Sequence, residues 1–211
     1  EITEPFVLPD FDAFEREKTP DILYAGMMVF DEDRNIPELQ LMGPTKVDYP
    51  FGRYLVDKKM KQFRLTETQK YPHVTFFFNG GYRQPLDDTL EDYILIDSDK
   101  GISFADKPEM KAFEIADKAV ELIQSGEYAF GLINFANADM VGHCGKIEPA
   151  VAAVEAVDAA MGKVIGALEA CGGNAIITAD HGNAEEMITT KAGRDEACTK
   201  HSTNPVPCIL F

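Results

Sequence analysis

The chain has 211 residues, of which 45% are hydrophobic and 27% charged, a composition typical of a globular protein with one or two domains. Its formal net charge of −16 would repel polyanions, so we expect neither nucleic acid nor an anionic membrane as a partner. The same field opposes a phosphate substrate unless metal ions or local Lys and Arg reverse the charge inside a cleft.

No targeting or redox signal is evident. The first residues, EITEPFVLPDFD, lack the basic flank and apolar core of a secretory signal, and no apolar run approaches the ~18 residues of a membrane span. The four cysteines form no CxxC pair. We therefore expect a cytoplasmic protein with reduced thiols.

The first 47 residues differ in pattern from the rest. They contain one strand-like run, 22–30, a turn at 31–35, and the start of a Gly- and Pro-punctuated stretch, 43–52, that suits a hinge. We therefore place a domain boundary near residue 47.

From residue 74 onward, short apolar runs alternate with amphipathic stretches. This pattern predicts an α/β fold with a mostly parallel sheet flanked by helices. The predicted strands cover residues 74–78, 93–97, 130–135, 175–180 and the terminal run 206–211.

Two helices are predicted between these strands. The first starts at a cap formed by Asp106 and ends at Gly126, and the second runs from about 149 to 170 and ends at Gly172-Gly173. The residues predicted to face inward are Met110, Phe113, Ala116, Val120 and Ile123 in the first helix, and Val151, Val154, Met161, Ile165 and Leu168 in the second.

Acidic and histidine side chains collect at the ends of the predicted strands, where ligands bind in open α/β sheets. Asp139 and His143 follow one strand, Asp180 and His181 follow another, and His201 precedes the terminal run. Each of these groups alone is weak evidence for a metal site, and the sequence DHGN by itself is typical of a turn. Together they predict a metal site.

The donor types narrow the choice of metal. Carboxylate with imidazole suits Mn²⁺, Zn²⁺, Fe²⁺ or Co²⁺, and five such side chains fit two ions better than one tetrahedral site. Binuclear centres commonly act on phosphate esters. For Lys70 the sequence leaves two roles equally open, a surface amine and a phosphate contact. We expect His73 and Cys144 to be packing residues.

Four segments carry a family resemblance. KYPHVTFFFNGG, LINFANADMVGHCG, AIITADHGNAEEM and KHSTNPVPCI resemble, in this order, signature segments of the cofactor-independent phosphoglycerate mutases of the alkaline phosphatase superfamily. The resemblance implies an alkaline phosphatase-like fold, here incomplete, with two Mn²⁺ ions, or Co²⁺ or Mg²⁺ in their place. It assigns Asp139, His143 and His201 to one ion, Asp180 and His181 to the other, and Lys70 to the phosphoryl group.

The implied activity is the interconversion of 3-phosphoglycerate and 2-phosphoglycerate through a phosphoserine enzyme. The substrate is thus a small-molecule phosphoglycerate, and the parent protein is expected to be monomeric. Residues 1–47 resemble the tail of the phosphotransferase domain with its hinge, and 48–211 resemble the C-terminal part of the phosphatase domain.

This chain departs from the family pattern at Gln69, Ala138, Cys144 and Ser202, none of which removes an expected ligand. The segment with the nucleophilic serine and a further Asp ligand has no counterpart here, so we expect the chain to be a fragment that is inactive alone. Two alternatives remain open: a metal-dependent phosphohydrolase of the same superfamily, and a non-catalytic fragment without working metal sites.

Overall fold

The computed structural model describes residues 2–29, 34–43, 47–191 and 193–211. The chain divides into two compact units, Glu1–Val47 and Asp48–Phe211. Among the described residues, no helix is long and apolar enough to cross a bilayer.

The described residues of the first unit form one short helix, α1 (Glu4–Val7), and a single-residue parallel bridge between Gly26 and Gln40. The predicted strand over 22–30 is wrong for its described part, because residues 22–29 form no strand beyond that bridge. Residue 30, residues 31–33 of the predicted turn and residues 44–46 of the predicted hinge lie outside the described residues.

The second unit carries the sheet and the longer helices. In chain order its elements are α2 (Phe51–Asp57), β1 (Gln62–Glu67), a 3₁₀ helix (Thr68–Lys70), a π-helix (His73–Phe77), β2 (Glu91–Ile96), α3 (Ala112–Ser125), β3 (Phe130–Ile133), α4 (Asn137–Gly142), α5 (Ile147–Cys171), β4 (Ile176–Thr178), β5 (Ile188–Lys191), β6 (Arg194–Ala197) and β7 (Cys208–Leu210).

A three-stranded parallel sheet, in the order β2-β1-β3, forms the centre of this unit. In its register, Gln62 pairs with Glu91 on one side and with Phe130 on the other. Two antiparallel ribbons, β4 with β7 and β5 with β6, lie outside this sheet. The α/β class and the strands near 93–97, 130–135, 175–180 and the chain end are therefore confirmed.

The central strand β1 was not predicted. Its sequence, QFRLTE, alternates polar and apolar residues, a pattern that suggests one solvent-facing side, yet every residue of it is buried. Its apolar face, Phe63 and Leu65, packs in the main core with α3 and α5. The polar face is covered as well, so periodicity alone understated the burial of this strand.

A buried charge pair accounts for the polar face of β1. Arg64 donates to Oε1 of Gln62 at 2.6 Å, and its guanidinium lies 3.6 Å from the carboxylate of Glu91 on β2. The rings of Phe78 and Phe130 cover the same guanidinium. Because both charged side chains are fully buried, each depends on the other for its charge compensation, and this favours the observed pairing of β1 with β2.

The predicted strand over 74–78 is wrong, because most of this run forms the π-helix. A short apolar run does not distinguish a strand from a buried helical turn. Here Pro72 already has helical dihedral angles, and the helix buries Val74 and Thr75 while Phe77 stays 59% exposed.

Both predicted helices exist, but they begin at different residues and bury only part of each predicted inward set: Met110 and Ala116 are buried, and Ile123 and Leu168 pack against the main core. The first begins at Ala112 with Lys111 in the N-cap position, so Asp106 does not cap it. The predicted ends are confirmed, since Gly126 and Gly172 both have left-handed backbone angles just past the last turn.

Alanine is the most frequent buried residue of α3 and of α5. The buried residues are Ala112, Ile115, Ala116, Ala119 and Leu122 on α3, and Ala150, Ala153, Ala156, Ala160, Val164 and Ala167 on α5. The predicted inward residues Val151 and Val154 are 51% and 49% exposed, and Phe113 is 37% exposed. Alanines of both helices line the core between them together with Ile115, Leu122 and Val164, and the small side chains let the helices approach closely.

The buried charge pair predicts a large effect of Glu91→Gln. The substitution leaves the guanidinium of Arg64 without its counter-charge and should lower the free energy of unfolding by about 3 kcal/mol in urea titrations. Lys163→Met breaks an exposed pair with Asp117 and serves as the control, with an effect below about 1 kcal/mol. Equal effects of the two variants would contradict the role given to the buried pair.

The alanine contact predicts that Ala160→Leu overpacks the α3–α5 interface. The free energy of unfolding should fall by about 1–3 kcal/mol, measured by denaturant unfolding. Val154→Leu, on the half-exposed side of α5, should change it by no more than about 0.5 kcal/mol. The reverse order would mean that the valine face is the packed one.

Candidate metal centre

The structure brings all six predicted site residues together. They lie in the connections that follow or precede strands. Lys70 ends the 3₁₀ helix after β1, Asp139 lies in the first turn of α4 after β3, and His143 follows α4. The remaining residues follow β4 or precede β7. We call this group the strand-end cluster: Lys70, Asp139, His143, Asp180, His181 and His201.

Asp139 lies at the centre of the strand-end cluster. Its Oδ1 is 3.0 Å from Nε2 of His143 and 3.2 Å from Nε2 of His201. The two imidazole nitrogens are themselves 3.1 Å apart. These three residues form the group whose ligand atoms all lie within 4.8 Å of one another in the described part of the chain.

A backbone carbonyl sets the orientation of His143. Nδ1 of His143 donates to the carbonyl oxygen of Thr199 at 2.7 Å. With its proton on Nδ1, the ring presents the lone pair of Nε2 toward Asp139 and His201. Histidines that bind metals are commonly oriented in this way.

The rest of the cluster consists of Asp180, His181 and Lys70. The rings of His181 and His201 stack with centroids 3.6 Å apart. Nζ of Lys70 lies 2.8 Å from Oδ2 of Asp139, 3.1 Å from Oδ2 of Asp180 and 3.4 Å from Nε2 of His181. The ammonium group thus separates the two carboxylates.

The pKa values of both aspartates reflect this arrangement. Burial by itself would raise the pKa of Asp139, but hydrogen bonds from Lys70 and Asn183 outweigh it, and the net pKa is lowered. For Asp180, burial is again opposed, here by the charge and the hydrogen bond of Lys70, so its pKa is also lowered. Both side chains are therefore carboxylates at neutral pH, the form that binds cations.

His73 and Cys144 lie near the cluster but differ from its members. The ring of His73 packs edge-on against Phe77, and burial followed by the charge of Lys70 lowers its pKa. Its buried Nδ1 has no hydrogen-bond partner among the described residues. Sγ of Cys144 faces the carbonyl oxygen of Met140 at 3.6 Å. These contacts agree with the packing role predicted for both residues.

Sequence reasoning missed Asn183, which contacts the central aspartate. Its Nδ2 donates to Oδ1 of Asp139 at 2.6 Å and to the carbonyl oxygen of the same residue at 3.3 Å. Gly142 leaves room for this amide, since a Cβ there would lie 2.6 Å from its Oδ1. Asn183 belongs to the DHGN segment, but only a contact across 44 positions of the chain reveals its role.

The donor set fits a divalent transition metal. Asp139, His143 and His201 offer one oxygen and two nitrogens, a combination that suits Mn²⁺, Co²⁺, Fe²⁺ or Zn²⁺ better than Ca²⁺. Asp180 and His181 offer a second oxygen and nitrogen, with Oδ2 and Nε2 3.6 Å apart. The fixed ring of His143 and the ionised carboxylates are what such a site requires.

The chain is similar to known proteins. Residues 25–211 match the profile of the metalloenzyme superfamily. The chain is 47% identical to the 2,3-bisphosphoglycerate-independent phosphoglycerate mutase 2 of Methanosarcina barkeri, over 100% of this chain and 39% of the relative. It is 43% identical to the probable 2,3-bisphosphoglycerate-independent phosphoglycerate mutase 2 of Arabidopsis thaliana, over 95% of this chain and 38% of the relative. The chain thus spans well under half the length of these curated relatives.

A solved structure is similar as well. The crystal structure of Leishmania mexicana phosphoglycerate mutase at low cobalt concentration superposes with a TM-score of 0.86 at 36% sequence identity, covering 100% of this chain and 40% of that chain. These matches confirm the resemblance carried by the four segments and the α/β fold that it implied.

The contact between Asn183 and Asp139 predicts that Asn183→Leu weakens metal binding. The variant keeps a similar volume but loses the donor that orients the carboxylate, so the affinity for Co²⁺ should fall by about 10- to 100-fold in isothermal titration. Asn174→Leu, at an exposed position before β4, is the control and should bind as the parent does. Unchanged affinity in Asn183→Leu would contradict the orienting role.

Proposed function

Because the chain belongs to the metalloenzyme superfamily, we propose that it is part of a phosphoglycerate mutase, which interconverts 3-phosphoglycerate and 2-phosphoglycerate. In this proposal residues 48–211 form the C-terminal part of a metal-binding phosphatase domain. Residues 1–47 form the tail of a phosphotransferase domain and the returning hinge. The similarity to phosphoglycerate mutases along the whole chain supports this assignment.

The observation that carries the proposal is the composition of the strand-end cluster. Two ionised aspartates, three histidines and a buried lysine meet where β1, β3 and β4 end and before β7 begins. Lys70 supplies one positive charge against two carboxylates, so the group can still take up cations, and these can then hold an anionic substrate. A phosphate ester with divalent ions satisfies these charges.

Two divalent ions would be held by this chain in the proposal. Asp139, His143 and His201 would bind one, and Asp180 and His181 would contribute to the other. Bound there, the ions would polarise phosphoryl oxygens and offset the negative charge of the protein around a phosphate. We expect Mn²⁺, with Co²⁺ or Mg²⁺ as alternatives; the cobalt used with the similar Leishmania protein supports a divalent transition metal.

Lys70 has its own role in the proposed reaction. Its side chain is 3% exposed and its ammonium group already faces the carboxylates of Asp139 and Asp180. From this position Nζ can donate to a phosphoryl oxygen placed between the two proposed ions. The hydrogen bond would hold the phosphoryl group while negative charge redistributes over its oxygens.

The expected nucleophilic serine is not assigned within this chain. Ser202 is the serine next to a cluster residue, but its hydroxyl donates to Glu185. We therefore place the phosphoserine step on the remainder of a longer protein, which we expect to be a monomeric, cytoplasmic enzyme acting on small phosphoglycerates. Neither nucleic acid nor a membrane is a partner in this proposal.

Three of the four histidines provide a direct test of the metal centre. His143→Ala and His201→Ala should each reduce Mn²⁺ affinity by about 100-fold or more in isothermal titration, since each removes a ligand, whereas loss of supporting groups reduces it about 10- to 100-fold. His73→Ala is the matched control, because the ring of His73 packs on Phe77 and is not proposed as a ligand.

Activity assays then separate the candidate functions. The full-length protein that carries this chain should isomerise phosphoglycerate in a coupled assay with Mn²⁺, and Lys70→Met should abolish turnover while Mn²⁺ still binds. Release of phosphate from esters without isomerisation would instead identify a phosphohydrolase. A parent chain that binds no Mn²⁺, Co²⁺ or Mg²⁺ would contradict the metal centre and leave a non-catalytic fragment.

A further inference from the structure

Two loop segments carry three members of the strand-end cluster, and they touch each other outside it. Segment 180–187 follows β4 and includes His181, and segment 199–205 precedes β7 and includes His201. The amide of Ser202 donates to the carbonyl oxygen of Gly182 at 2.8 Å, forming an isolated antiparallel bridge. This bridge is a single backbone contact, so side-chain contacts are needed to hold the two segments together.

The carboxylate of Glu185 lies where these segments meet. Its Oε2 accepts a hydrogen bond from the amide of Asn183 at 2.7 Å, within its own segment. Its Oε1 accepts from the hydroxyl of Ser202 and, at 3.2 Å, from Nδ2 of Asn204, both in the other segment. Hydrogen bonds to an ionised acceptor are stronger than those between neutral groups. Asn204 also donates to Oε2 of Glu186 at 3.0 Å, but Glu185 is the carboxylate that contacts Ser202 and Asn204 as well as its own segment.

Gly182 shows how closely the segments approach at this point. A Cβ at position 182 would overlap both the hydroxyl of Ser202 and the carboxylate of Glu185. The backbone of Gly182 does not have the positive φ that favours glycine, so the space is what requires this residue. The contact between the segments thus depends on a specific packing arrangement as well as on hydrogen bonds.

The position of His201 follows from this contact. His201 precedes Ser202 directly, and its side chain is 50% exposed, so little core packing restrains it. Nevertheless its ring stacks on His181, and its Nε2 lies 3.2 Å from Oδ1 of Asp139. The neighbouring bonds of Ser202 and Asn204 to Glu185 supply the restraint that burial does not.

We propose that Glu185 is a positioning residue that holds segment 199–205 against segment 180–187, so that His201 reaches the carboxylate of Asp139. The effect on metal affinity rests on the proposed metal centre. Glu185 does not touch the ion; it acts through the segment that carries a ligand, as outer groups do around metal sites.

The test is a titration of Glu185→Ala with Co²⁺. Calorimetry measures the affinity, and visible absorption reports the surroundings of the bound ion. Affinity should fall by about 10-fold or more, and the spectrum should change because one imidazole is no longer delivered. Glu185→Gln retains an oxygen that can accept from Ser202 and Asn204, and so it should recover part of the loss. Glu155→Ala removes the same charge from an exposed position on α5 and should bind as the parent does.

A second readout needs no metal. Amide hydrogen exchange of Ser202 should be faster in Glu185→Ala, because its bond to Gly182 opens more often. Gly182→Ala should reproduce both effects by steric overlap, without a change of charge.

The outcomes distinguish this inference from the proposed metal centre. If the parent chain binds no Co²⁺, the metal centre is contradicted. In that case the exchange measurement still tests Glu185, because an unchanged exchange rate of Ser202 in Glu185→Ala overturns its role. If the parent binds Co²⁺ and Glu185→Ala binds it with the same affinity and spectrum, the positioning role is overturned, even if exchange is faster.

Discussion

The carboxylates of Asp139 and Asp180 approach the same point, and this is possible because the ammonium group of Lys70 lies between them at 2.8 and 3.1 Å. Without it, burial and mutual repulsion would raise the pKa of both aspartates. With it, both pKa values are lowered and both groups stay ionised. This balance keeps both carboxylates in the form that binds cations, in a chain whose net charge is −16, and divalent ions would supply the same compensation once bound.

The location of Lys70 depends in turn on the central strand. Lys70 follows β1 by one short 3₁₀ turn, and β1 is fixed between two parallel neighbours with both of its faces buried. The Arg64–Glu91 pair requires correct pairing of β1 with β2, because a shifted register would leave a buried charge without its partner. Strand pairing thus determines where the ammonium group lies.

The histidines are held differently, by loops and outer contacts. His143 is oriented by the carbonyl oxygen of Thr199, and Asp139 by the amide of Asn183. These supporting groups lie 56 and 44 positions away along the chain from the residues they orient. The cluster therefore combines Lys70, whose place is set by the central strand, with ligand side chains whose orientation depends on contacts between loops.

The sequence pointed to five of the six cluster residues by their places at the ends of predicted strands, where ligands bind in α/β sheets, while Lys70 followed only from the family resemblance. It also determined the ends of both long helices, through glycines that adopt left-handed backbone angles. Tertiary structure decided the burial of β1, the helical form of 73–77 and the alanine face of α5. Each of these depends on what covers a segment, which local periodicity does not encode. Tertiary structure alone also placed Asn183 and Glu185, since their partners are chosen by the approach of distant loops rather than by neighbouring residues.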